Sequence, residues 1–275
     1  MKKFYFGVMV PLLILNLCSC GSRKAPSPSG QDLVVFAAAS MTETLEQIAP
    51  LYKKKAQDVK LSFNFDSSGT LKTQIQEGAE CDVFISAGQK QMDQLDISAP
   101  KSVNTEGLDF VLKGSRVNLL ENRVTLCVPE ANPAGIKSFA DLADKLANAD
   151  ILFAMGNSDV PVGQYTQGIL AYYQLDEKAL ADKGKITYGS NVKEITTQIA
   201  ESSVSCGVVY CTDAYSAGLK IVEYATAAMC GQVIYPAAVI KTGKNPDAAK
   251  AFMDYLKTDE AMAVFKKVGF APASK

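Results

Sequence analysis

The chain has 275 residues, of which 48% are hydrophobic and 21% charged, and its net charge is −1. That is enough apolar side chain for one large or two ordinary folded domains, and too little positive charge for a nucleic-acid-binding face. Histidine is absent, so neither a Ser-His-Asp nor a Cys-His nucleophile can be assembled, and no catalytic residues are assigned.

Lys2 and Lys3 precede the apolar residues 4–17, the layout of a secretory signal peptide over residues 1–19. The run ends in Leu17, Cys18, Ser19 and Cys20, which resembles a bacterial lipobox. Cys20 is therefore the candidate lipidation site and membrane anchor, with simple cleavage and secretion as the alternative. Residues 21–30, GSRKAPSPSG, are rich in Ser, Pro and Gly with little apolar content, so the segment 20–30 reads as a lipidated N-terminus and flexible tether. Without Lys2 and Lys3 the net charge moves from −1 to −3.

The folded part is expected from Gln31. Residues 33–36, LVVF, form a short continuous apolar run of the kind buried on both faces of a parallel sheet. A helix follows from Met41, with Leu45 and Ile48 inward. Ser40 and Glu43 make a capping box. A helix start at the carboxyl end of a parallel strand also gathers unpaired amides and positive dipole, which suits an anion. Residues 59–65 alternate as a strand with one wet face. Ser67, Ser68 and Gly69 form a tight turn before a helix carrying Leu71 and Ile75. Residues 82–87, DVFISA, are a buried strand, with a helix over 89–95. This βαβαβ order predicts a parallel, three-layer α/β fold.

Residues 123–128 give another strand and the crossing into a second lobe. A helix with Phe139, Leu142 and Leu146 follows, then a strand at 151–154 and a Pro-Gly turn that enters a long helix through PVGQY. A strand at 185–188 leads to GSNVKEITTQIA, in which Asn191 and Glu194 form a second capping box. Residues 207–210 are a strand and 213–218 a short helix. Pro236 marks 233–240 as a segment crossing back to the first lobe rather than a central strand. Helices over 247–256 and 259–268 close the chain. The expected division is 31–121 for lobe 1, 122–230 for lobe 2 and 231–275 for the return to lobe 1.

Five cysteines remain beyond the leader and Cys20, an odd number that argues against a full disulfide framework. Their spacing and the missing histidine give no cation site, so no metal ligands and no cofactor are assigned.

The blocks VFAAASMTETL, SSGTLKTQIQEGAECDVFISAGQKQMD, PVGQY, GVVYCTDA and FKKVGF resemble those of the molybdate-binding proteins of bacterial ABC transporters, across nearly all of 33–272. The resemblance implies the type II periplasmic-binding-protein fold: two three-layer αβα lobes joined by two crossing segments, with the ligand cleft between them. It implies capture of molybdate or tungstate by the hydroxyls of Ser40, Ser68 and Tyr210 and the amides of Val162 and Val192. It also implies delivery to an ABC permease with its cytoplasmic ATPase, by a monomer held on the extracytoplasmic side of the cell membrane. Helix termini alone do not set cavity size, so another tetrahedral oxyanion such as sulfate, or a non-transport anion sensor, stays open. A site made only of donors matches a fully deprotonated anion, and the pocket is expected to lack a carboxylate and reject hydrogen phosphate.

Overall fold

The computed structural model describes residues 31–274. The expected signal peptide, the Cys20 lipidation site and the tether lie outside the described residues.

In chain order, β1 (Gln31–Ala38) runs into a 3-10 turn (Ala39–Met41) and α1 (Thr42–Lys55). Then come β2 (Val59–Asp66), α2 (Ser68–Gln76), β3 (Val83–Ile85), α3 (Gln89–Asp93) and β4 (Val117–Asn122). The next part holds β5 (Val124–Val128), α4 (Phe139–Asn148), β6 (Phe153–Gly156), α5 (Pro161–Tyr172), α6 (Glu177–Asp182), β7 (Ile186–Gly189) and α7 (Val192–Ala200). It continues with β8 (Cys206–Tyr210), α8 (Cys211–Ser216), β9 (Lys220–Tyr224) and α9 (Ala227–Cys230). The chain ends with β10 (Val233–Val239), α10 (Pro246–Leu256), α11 (Asp259–Val268) and β11 (Ala271–Pro272).

These strands make two sheets. The first has the order β11-β4-β10-β3-β1-β2 and the second β7-β6-β8-β5-β9. Leu33 and Val35 of β1 are fully buried, as an apolar strand flanked by parallel β2 and β3 should be. In the second sheet β6 is the parallel centre, paired with β7 and β8. Asn122 ends a strand of the first sheet and Val124 opens one of the second, so Arg123 alone separates the sheets there. The chain returns to the first sheet at Val233. Residues at or just after the carboxyl ends of the parallel strands, Ala38, Asp66, Ala87, Val160, Val192 and Tyr210, border one cavity.

The structure corrects one expectation about this frame. Residues 233–239 do return the chain to the first sheet, yet they form a central strand, antiparallel to both β3 and β4. Pro236 is tolerated because the register with β4 shifts between Tyr235 and Pro236, so the missing amide falls at an irregularity. On the other side the Pro236 carbonyl accepts from Ser86 N at 3.0 Å. Sequence reasoning also missed β4, β9, α6, α9 and β11, whose short or mixed-polarity segments lack a clear period.

All five cysteines of the described residues are free thiols. None of the described helices is long and apolar enough to cross a membrane.

Candidate functional site

Ser40 lies within the 3-10 turn after β1 and is buried, 4% exposed. The expected capping box with Glu43 does not form. The turn occupies the register where an N-cap would sit, so α1 starts at Thr42 with Met41 before it and no side-chain cap. Ser40 Oγ instead lies 2.9 Å from the Tyr235 hydroxyl. Ser68 was expected in a turn and is the first residue of α2. Ser67 takes the capping position and accepts from Thr70 N at 3.1 Å, which leaves Ser68 Oγ to accept from Ala87 N at 2.9 Å. A hydroxyl used as an acceptor keeps its own proton free to donate.

Across the cleft, α5 begins at Pro161 and has no side-chain cap. The amide of Val162 therefore has no acceptor within its helix. Asn191 caps α7 and accepts from Lys193 N and Glu194 N, at 3.0 and 3.2 Å, leaving Val192 N outside the cap. The reciprocal half of this box is displaced by one residue, because Glu194 accepts from Ser190 N at 2.7 Å rather than from Asn191. Tyr210 ends β8 and is 2% exposed, its hydroxyl 3.4 Å from the Ala87 carbonyl to which it donates. Burial first, and the neighbouring tyrosine hydroxyls second, push its pKa well above the ordinary tyrosine value, so it remains a donor.

All five residues singled out from the sequence line one small cavity. No Lys or Arg is among its lining residues. One carboxylate is, contrary to expectation: Asp66 borders the cavity because it ends β2, where its Oδ1 accepts from Ser67 N at 2.7 Å and turns the strand into α2. The signal was available, since Asp66 directly precedes the SSGT block. The cavity therefore borders a carboxylate acceptor, and rejection of hydrogen phosphate does not follow from its composition.

Contacts across the cleft hold the two sides together. Lys193 Nζ reaches both carboxylate oxygens of Glu43, at 2.7 and 2.8 Å, and lies 3.1 Å from Asp213 Oδ1. Asp213 is 1% exposed, and neither of its carboxylate oxygens makes a hydrogen bond of good geometry. Burial raises its pKa to about 6, with the Lys193 charge opposing the shift. A Cβ on Gly69 would stand 2.2 Å from the Asp159 carbonyl oxygen, so α2 approaches the loop before α5 as closely as only glycine allows. Sequence reasoning missed the Glu43–Lys193–Asp213 group, because its three members lie far apart along the chain.

The family model described as "Bacterial extracellular solute-binding protein" matches residues 33–271. The chain belongs to that family. A similar member is a Bacillus subtilis (strain 168) chain provisionally named as the ABC transporter substrate-binding lipoprotein YvgL, 33% identical over 98% of both chains. Another is the molybdate-binding protein ModA of Escherichia coli (strain K12), 33% identical over 86% of this chain and 88% of that one. Among solved structures, the Azotobacter vinelandii periplasmic molybdate-binding protein superposes with a TM-score of 0.72 at 24% identity, over 88% of this chain and all of that one. The fold is thus the type II periplasmic-binding-protein fold, and this solute-binding protein is a substrate-binding component of the ABC-transporter kind. Its relatives are extracytoplasmic binding proteins, not enzymes.

Proposed function

We propose that this solute-binding protein captures molybdate, and tungstate with it, in the cavity between its two sheets and delivers it to an ABC import permease. The observation that carries the reading is the convergence of Ser40, Ser68, Val162, Val192 and Tyr210 on one cavity whose lining residues include no Lys or Arg. Such a site matches a dianion through hydrogen bonds and helix dipoles instead of a countercharge. The relative from Escherichia coli that is named a molybdate-binding protein supports the choice of anion. In this reading the hydroxyls of Ser40 and Ser68 hold the anion from the first sheet. The Val162 and Val192 amides and the Tyr210 hydroxyl hold it from the second, and closure excludes water. The closed form is what the permease with its ATPase receives. The protein works as a monomer, and Cys20, outside the described residues, anchors it by lipid on the extracytoplasmic side.

The test is isothermal titration calorimetry of the full chain in detergent against molybdate, tungstate, sulfate and phosphate, since no tryptophan is present to report binding. Tight 1:1 binding of the first two alone is expected. Preferential binding of sulfate would assign the cavity to another tetrahedral oxyanion, and no heat with any of the four would remove the oxyanion reading.

A further inference from the structure

Ser40 stands at the end of a buried hydrogen-bond chain that begins at the crossing between the sheets. Asn122 closes β4. Its Oδ1 accepts from Arg123 N at 2.8 Å and from the Cys211 thiol at 3.2 Å. A backbone amide can only donate, so this contact fixes which end of the Asn122 amide is oxygen. The Nδ2 end points inward, donating to Thr212 Oγ1 at 3.0 Å and to the Tyr235 hydroxyl at 3.1 Å. Tyr235 is fully buried. Burial and the nearby Asp213 raise its pKa well above the ordinary tyrosine value, so it keeps its proton. A phenol that accepts from Asn122 has one proton left, and Ser40 Oγ lies 2.9 Å away to receive it. With Tyr235 as the donor, Ser40 accepts, and its own proton is left over for the cavity it lines. Each donor also polarises the next along such a chain.

We infer that Tyr235 and Asn122 are positioning residues which act through Ser40, fixing its hydroxyl as a donor toward the bound anion and so favouring a fully deprotonated oxyanion. This rests on the oxyanion reading above. Ser68 is oriented the same way by a shorter route, through the Ala87 amide. The side chains of both serines are therefore committed as donors before ligand arrives, which lowers the ordering cost of binding. Without Tyr235's hydroxyl, Ser40 is free to turn and accept a proton from an anion such as hydrogen phosphate.

The experiment is a double-mutant cycle of Tyr235→Phe and Ser40→Ala in the full chain in detergent. Calorimetry with molybdate and phosphate reads binding, and urea unfolding of the ligand-free protein reads stability. With Ser40 present, Tyr235→Phe should weaken molybdate binding about tenfold and narrow the molybdate-to-phosphate preference by a similar factor. On the Ser40→Ala background the same substitution should leave the affinity for both anions unchanged. A role confined to core packing would give equal losses on both backgrounds, and that result, or no loss on either, would overturn the inference. The unfolding data must also be non-additive, because the two hydroxyls are bonded to each other, and additive unfolding overturns the inference whatever the anions do. An unsubstituted protein that binds neither anion removes the oxyanion reading and the specificity role with it, even if unfolding stays non-additive.

Discussion

In the proposed site, the two walls of the cavity present hydrogen-bond donors by different means. The first-sheet wall uses side-chain hydroxyls, Ser40 and Ser68, each of which needs a neighbour to decide whether it donates or accepts. The second-sheet wall relies on backbone amides, Val162 and Val192, which can only donate and need nothing beyond a helix start. Tyr210 is its one hydroxyl. Residue identity should therefore govern binding on one wall and backbone conformation on the other, and substitutions can separate the two.

The largest expected effect lies where the walls are tied together. Lys193, next to Val192, crosses to Glu43 on α1 and is anchored by the buried Asp213. The Asp213 pKa is raised to about 6, so the folded protein holds this proton more tightly than the unfolded chain does. The stability it contributes is fully present below the ordinary aspartate value and is lost as pH rises through about 6. A shift of this size corresponds to about 3 kcal/mol. Lys193 and the buried thiols and phenols facing it do not titrate in that window. Burial raises the pKa values of Cys127, Cys211, Tyr210 and Tyr235. Burial works against the Lys193 charge, but Asp213 and Glu43 together outweigh it. The unfolding free energy of the wild type relative to Asp213→Asn should fall by about that amount between pH 4 and pH 7. Urea unfolding across this range measures it, and parallel profiles for the two proteins would show that Asp213 titrates normally.

Next in size is the hydroxyl wall. Ser68→Ala removes a donor to the proposed anion and also leaves the buried Ala87 amide without its acceptor. A hydrogen bond to a charged group is worth about 1.5–3 kcal/mol, so molybdate affinity should drop about ten- to hundredfold. Calorimetry reads the change, and an affinity within threefold of wild type would take Ser68 out of the site.

The asymmetry between the walls also explains what could be read before folding. The strand-to-helix junctions at Ser40, Ser68, Val162 and Val192 announce themselves locally, through an apolar run that stops at a small or capping residue, and all four meet at one cavity. The network that orients Ser40 is not local: Asn122 and Tyr235 are separated by 113 positions. Tyr235 was hidden further by Pro236, since a proline in an apolar run argues against a central strand. Only the register shift against β4 makes that strand possible, and no pattern in VIYPAAVI reveals it. The capping box at Ser40 misled for a related reason: its residue types were right, but a 3-10 turn moved the helix start one position onward.

The smallest expected effect tests the amide wall, and it is informative because it should be nearly nothing. Val192 is 4% exposed. Val192→Ala deletes buried methyl groups and should lower stability by about 1–2 kcal/mol. The amide proposed to hold the anion is unchanged, so molybdate affinity should stay within about twofold. The matching variant is Val192→Pro. Val192 is the first residue of α7, where the fixed φ of proline suits a helix and the amide makes no intrahelical bond. Asn191 before it is already extended, with φ −153° and ψ 172°, the conformation a following proline requires. The substitution thus deletes one N–H while leaving the helix start intact, and it should weaken molybdate binding about as much as loss of a serine hydroxyl, with helical circular dichroism unchanged. If Val192→Ala weakens binding and Val192→Pro adds nothing, the contact belongs to the side chain, and the second wall is no different from the first.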